Sequence, residues 1–119
     1  MVHLIWFIAD CAGDGLKLTL ANDVLASQGS YAGYYKSSSI VNGKPSFKNG
    51  RNAIWFDDKY DDWNVGSIEY LGNDTCAIYT DNEFGGLTDS RNKWKYSNDG
   101  FKSAGPHDVN VQCLLDGKL

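Results

Sequence analysis

Apolar and polar residues alternate with period two along most of the chain. In LKLTL (16–20), Leu16, Leu18 and Leu20 share one face and Lys17 and Thr19 the other, which predicts a strand with one covered side. YAGYY (31–35) and PSF (45–47) flank VNGK, and Asn42-Gly43 is a hairpin turn signal because both residues tolerate positive φ. AIWF (53–56) and WNVGSIEYL (63–71) read as the two arms of a second hairpin around an acidic tip. TCAIYT, KWKY and VNVQCLL complete the set, with Val109, Val111 and Cys113 on one face of the last strand. LGND, DNEFGG, SNDG and SAGP between them are turn sequences. Only LANDVLASQ (20–28) has a helical look, and it is short. Strands this short, at a spacing of about ten residues, predict one all-β domain over 1–119, a compact antiparallel sandwich or barrel of about 7–9 strands. Nothing long enough for a parallel crossover helix is present, which excludes an α/β fold.

The opening MVHLIWFIADCA allows two readings. Val2, Leu4, Trp6 and Ile8 alternate among other apolar residues, as in a buried first strand. A short apolar core followed by small residues also resembles the remnant of a secretory signal, although no Lys or Arg precedes it.

At 119 residues the chain can bury a core without metals or a dense disulfide framework. A net charge of −4 disfavours nucleic acid and anionic membranes as partners, and no apolar run reaches the length of a membrane span. The three cysteines allow one bridge and one free thiol. Cys11 and Cys113 sit where a bridge would tie the two ends of the chain together, and Cys76 reads as a small buried hydrophobe. Whether the bridge forms depends on the redox compartment.

Residues 29–66, from GSYAGYY through VNGKPSFKNGRNAIWFDDKYDDWNVG, resemble a small β-module of extracellular proteins from invertebrates and protists. Its pattern is G-x-Y, N-G-x-P-x-[FY], [IL]-[WFY]-[FY] and W-x-[IV]-G. Gly29 and Tyr31, Asn42, Gly43, Pro45 and Phe47, then Ile54, Trp55 and Phe56, then Trp63, Val65 and Gly66 stand at those positions. Val111-Gln112-Cys113 is similar to the strand on which members often close. The resemblance implies a β fold and a secreted, extracellular setting, and brings no catalytic motif with it.

Four aspartates, Asp57, Asp58, Asp61 and Asp62, crowd the tip between AIWF and WNVG. Calcium takes six to eight oxygens, so this loop is the candidate metal site, with DNEFGG (81–86) as a second acidic loop that could converge on it. The spacing fits no EF-hand, and aspartate is also an ordinary turn residue that keeps a hairpin tip from pairing with other edges. The expectation is therefore no cofactor, with calcium as the alternative. Sugar recognition needs a ring to stack on a pyranose and planar polar groups for its hydroxyls. Tyr60, Asp58, Asp61, Trp94, Tyr96 and Asn92 are the candidate ligand-binding residues, with Tyr34, Asn49 and Asn52 nearby in the pattern. Tyr60 stands out, because a hairpin tip is hard to bury. Against this, aromatic residues on small sheets mostly fill cores.

His3, Cys11, His107 and Cys113 lack the spacing that preorganises zinc, and nothing local supports a Cys113–His107 nucleophile. The sequon Asn73-Asp74-Thr75 is no more than chance supplies. The expected function is a non-enzymatic, lectin-like recognition module binding a glycan. A protein-binding, structural or inhibitor module, including a homodimer, is the alternative, and a small hydrolase the third reading.

Overall fold

The structure, a computed structural model, describes Cys11 and residues 15–81 and 86–114. The readings of residues 1–10 and of most of DNEFGG fall outside these residues. Among the described residues nine strands form one antiparallel, curled sheet: β1 (Leu16–Leu20), β2 (Gly33–Val41), β3 (Lys44–Asn49), β4 (Asn52–Asp57), β5 (Asp62–Ser67), β6 (Ile78–Asp81), β7 (Trp94–Ser97), β8 (Phe101–Ser103) and β9 (Val109–Cys113). The all-β antiparallel fold is thus the one the alternation predicts, in the form of a half-barrel.

The strand order is β8-β7-β6-β5-β4-β3-β2-β1-β9, so among the described residues β8 and β9 are the two edges. Nine flat strands would spread over about 38 Å at the usual spacing of about 4.8 Å. Yet Ser103 and Val109, at the facing ends of β8 and β9, are six residues apart in the chain, a reach of at most about 22 Å. The sheet must therefore roll up until its edges face each other. Asp108 secures that connection. Its backbone oxygen accepts from Ala21 N at 2.9 Å, and its carboxylate accepts from Asn22 Nδ2 at 2.7 Å and Gly105 N at 3.1 Å.

Asn42 (φ 53°) and Gly43 (φ 85°) make the β2–β3 turn in the left-handed region, as the Asn-Gly pair predicts. YAGYY differs from its reading at the start: Gly29–Tyr31 is a 3₁₀ turn, and the strand begins at Gly33. In WNVGSIEYL the strand stops at Ser67 and Ile68–Tyr70 turn into a second 3₁₀ segment. LANDVLASQ forms α1 (Asn22–Gln28), whose Val24 is buried and whose Gln28 Nε2 donates to Ser97 O at 2.6 Å. A seven-residue helix is marginal alone, so tertiary contact must supply its stability.

Inside the curl, Leu16, Leu18, Tyr35, Phe47, Ile54, Phe56, Trp63, Val65 and Ile78 form one core with Trp94 and Tyr96 of β7 and Val109 and Val111 of β9. Cys11 and Cys113 are joined in a disulfide, and Leu16 pairs opposite Cys113, so the bridge fastens the chain to the β1–β9 seam.

The β4–β5 hairpin is covered on both faces. Register sets Ile54 opposite Val65 and Phe56 opposite Trp63 on the core side, and therefore Trp55 opposite Asn64 and Ala53 opposite Gly66 on the other. Trp55 is fully buried but lies outside the core cluster, because the segment 71–77 folds back over it. Asn73 O accepts from Trp55 Nε1 at 2.9 Å and from Asn64 Nδ2 at 3.2 Å. Gly66 makes this approach possible, since a Cβ there would sit 3.1 Å from Cys76 Cα and 3.2 Å from Trp55 Cη2.

Candidate functional site

The folded-back segment leaves a cleft of about 410 Å³ on the outer face beside the acidic hairpin tip, lined by Asp57, Tyr60, Asp62, Asn64, Asp74, Cys76, Tyr79 and Phe101. Its floor is the end of the β4–β5 hairpin, where Asp57 and Asp62 are directly opposed. Asp74 and Cys76 form the wall that the 71–77 segment provides. Tyr60 comes from the turn at one end. At the other, Tyr79 and Phe101 meet edge to face with centroids 5.1 Å apart. Ile78 and Thr80 point inward, so alternation turns Tyr79 outward, and Phe101 reaches it across β7.

The aspartate cluster divides. Asp57 is buried, and its Oδ1 accepts from Lys59 N at 3.0 Å, an Asx-type turn bond. Asp58 and Asp61 are exposed on the turn and do not line the cleft, and Asp61 has the left-handed φ of 61° that the turn requires. Asp62 lines the cleft with Asp57, and the fold adds Asp74 from a segment the sequence presented only as a turn. Among the described residues no group of three or more His, Cys, Asp or Glu is arranged to hold a metal ion.

Of the ring and amide candidates, Tyr60 is 56% exposed at the cleft, as its place at a hairpin tip implies. Trp94 and Tyr96 are placed differently. The alternation that makes KWKY a strand turns Lys95 to solvent and these two rings into the core, where they are 8% and 5% exposed. Asn92 is buried as a loop brace, its Nδ2 donating to Gly86 O at 2.7 Å. These three therefore stand apart from Tyr60. Tyr34 is exposed on β2 beneath Lys17, whose Nζ lies 5.4 Å from its ring, away from the cleft. Tyr79 and Phe101 escaped the sequence reading. Counting outward from Ile78 would have found the first, but β8, three exposed residues long, carries no pattern of its own.

Cys113 is committed to its disulfide, so it supplies neither a nucleophile for His107 nor a zinc thiolate. Cys76 is the free thiol. Burial, and then the charges of Asp62, Asp57 and Asp74, push it up to about 12, so it is protonated at neutral pH. Its reaction with a disulfide reagent at pH 8 is expected to be on the order of 10³-fold slower than that of an unperturbed thiol, because reactivity follows the thiolate fraction. A stopped-flow or absorbance time course on the native protein checks this. The same shift sets a pH dependence. A thiol raised in the folded state favours folding below the unfolded value of 9.0, and that contribution fades as pH climbs towards 12. Cys76→Ser should flatten that limb of the stability curve.

Fold and cleft together define a class: a half-barrel β-domain with an acidic, ring-walled cleft on its outer face. Comparisons of the chain with known protein families, curated proteins and solved structures return no match.

Proposed function

We propose that this is a non-enzymatic recognition domain that binds a glycan in the outer-face cleft and works in an extracellular setting. The observation that carries this reading is the grouping of Tyr60, Tyr79 and Phe101 around Asp62, Asn64 and Asp74. A sugar ring needs an apolar face to stack on and planar acceptors for its hydroxyls, and the cleft offers both. Tyr60 and Phe101 are each about half exposed, so both rings of the cleft are accessible to a ligand. The protonated state of Cys76 and the bridging of Cys113 favour binding over thiol chemistry. The disulfide also supports an oxidising compartment. Among the described residues no helix is long and apolar enough to cross a membrane.

A glycan array should give hits, and Tyr60→Ala and Phe101→Ala should each weaken them about tenfold, or ~1.4 kcal/mol. Both side chains are exposed, so melting temperatures should stay within a few degrees of wild type. A silent array together with a dimer in size-exclusion chromatography would favour the second reading, a protein-binding module. For that reading, Leu25 and Ile40 are exposed apolar residues at 49% and 64%.

A further inference from the structure

We propose that the open edge of β9 takes an extended peptide segment of another chain, which adds to the sheet as a further strand. The phase of the β1–β9 ladder identifies the backbone groups on offer. Ala21 N donates to Asp108 O at one end and Leu114 N to Gly15 O at the other. Hydrogen-bonded pairs recur at every second residue between them, so Thr19–Asn110 and Lys17–Gln112 are bonded pairs. The N–H and C=O groups of Val109 and Val111 therefore point away from β1, to a side on which β9 has no neighbouring strand among the described residues. The edge is also unguarded. VNVQC has no charged residue and no proline, whereas β8 is three residues long and carries Lys102.

Beside this edge lies a slot of about 420 Å³ between β9 and residues 87–94. Val109, Asn110 and Val111 line it from β9, and Asn92 and Trp94 from the facing segment. Asn92 supplies an independent sign of a ligand. It is only 9% exposed, and its Nδ2 donates to Gly86 O at 2.7 Å, which fixes the orientation of the amide. Its Oδ1 is then a buried acceptor without a hydrogen-bond partner. Such an acceptor is costly to leave unpaired, and a donor entering the slot would satisfy it. A peptide strand brings N–H groups for Asn92 Oδ1 and for the carbonyls of Val109 and Val111, C=O groups for their amides, and side chains for the wall at Trp94. Main-chain pairing gives such complexes their affinity, and alternate side chains their selectivity. The facing segment keeps a second folded copy from laying its own β9 along this edge, so the slot suits a slender segment. It shares no residue with the outer-face cleft.

Amide hydrogen exchange of the whole chain, read residue by residue by NMR, tests the edge and its filling. In the free protein Val109 and Val111 should exchange at least about tenfold faster than Asn110 and Gln112, which bond to β1. The probes are two capped hexapeptides, one alternating threonine with valine and one alternating serine with tyrosine. Each has a counterpart N-methylated at every residue, which keeps the side chains and removes the donors. At millimolar concentration a parent peptide should slow exchange at Val109 and Val111 at least about tenfold, and its methylated counterpart should bind at least about tenfold more weakly. Val111→Pro removes one outward donor and leaves the bonds of Asn110 and Gln112 to β1, so it should weaken peptide binding about tenfold. The methylated peptides keep the test decisive where that variant fails to fold. Equal binding of parent and methylated peptides would overturn the proposal in favour of a side-chain pocket. Concentration-dependent protection of Val109 and Val111 without peptide, together with a dimer in size-exclusion chromatography, would overturn it in favour of a second copy. Slow exchange of all four amides in the free monomer, or silence of both parent peptides, would also overturn it.

Discussion

Reducing the Cys11–Cys113 disulfide is expected to lower the unfolding free energy by about 4.7 kcal/mol, the chain-entropy value for a closed loop of about 100 residues. The bridge spans 102 residues of sequence, almost the whole chain. Without it the unfolded ensemble gains the freedom of two untethered ends, while the folded state keeps the five β1–β9 pairs from Leu16–Cys113 to Leu20–Val109. The melting temperature should fall by roughly 15–20 °C for a domain of this size. Urea unfolding with and without reductant measures the change, and Cys113→Ala should reproduce it. Repeating the reduction on Cys76→Ser separates the bridge from the free thiol. An unchanged midpoint under full reduction would mean that the seam is held by its ladder alone.

The second large effect belongs to Trp55. Trp55→Ala should cost about 3–5 kcal/mol, the usual range for emptying a buried tryptophan site. The loss should differ in kind from that at Trp63. Trp55 packs on the outer face and donates its indole N–H to Asn73 O, so it holds down the segment carrying Asp74 and Cys76. Trp63 sits in the inner core, and its Nε1 is buried without a hydrogen-bond partner. Trp55→Phe therefore removes a bond worth about 0.5–1.5 kcal/mol, whereas Trp63→Phe removes an unsatisfied donor and loses only packing. In Trp55→Ala, released from its cover, Cys76 should also react faster with thiol reagents and the cleft should lose its ligand. Denaturant melts of the three variants, with thiol reactivity beside them, test the pairing. Equal losses in the two phenylalanine variants would contradict the assigned roles.

Much of the fold was legible in the chain because alternation is a local signal. LKLTL, VNVQC and the Asn42-Gly43 turn each declare themselves within a few residues, and the two terminal cysteines pointed to the seam that β1 and β9 form. AIWF was legible as one arm of a hairpin. What covers its second face was not. The 71–77 segment is glycine, asparagine and aspartate for half its length and reads as solvent-facing turn, and only the position of Asn73 O beneath two donors explains its place. The candidate site was half legible for the same reason. Tyr60 and Asp62 lie on the hairpin itself, whereas Asp74, Tyr79 and Phe101 arrive from three other segments. Trp94 and Tyr96 are candidate binding rings by residue type alone, and the lysines beside them in KWKY mark the opposite side of that strand as wet.

The seam between β1 and β9 has a consequence for how the domain assembles. Each of the pairings from β2 to β8 joins consecutive strands and can zip up soon after its residues emerge, but β1 finds its second neighbour only when the last strand exists. Joining residues 16 and 113 carries the entropy of a long closure, the kind of contact that slows folding. Oxidation should therefore be the final event of maturation, and a nascent chain stalled before Val109 would present Leu16, Leu18 and Leu20 along an unsatisfied edge, a natural foothold for a chaperone.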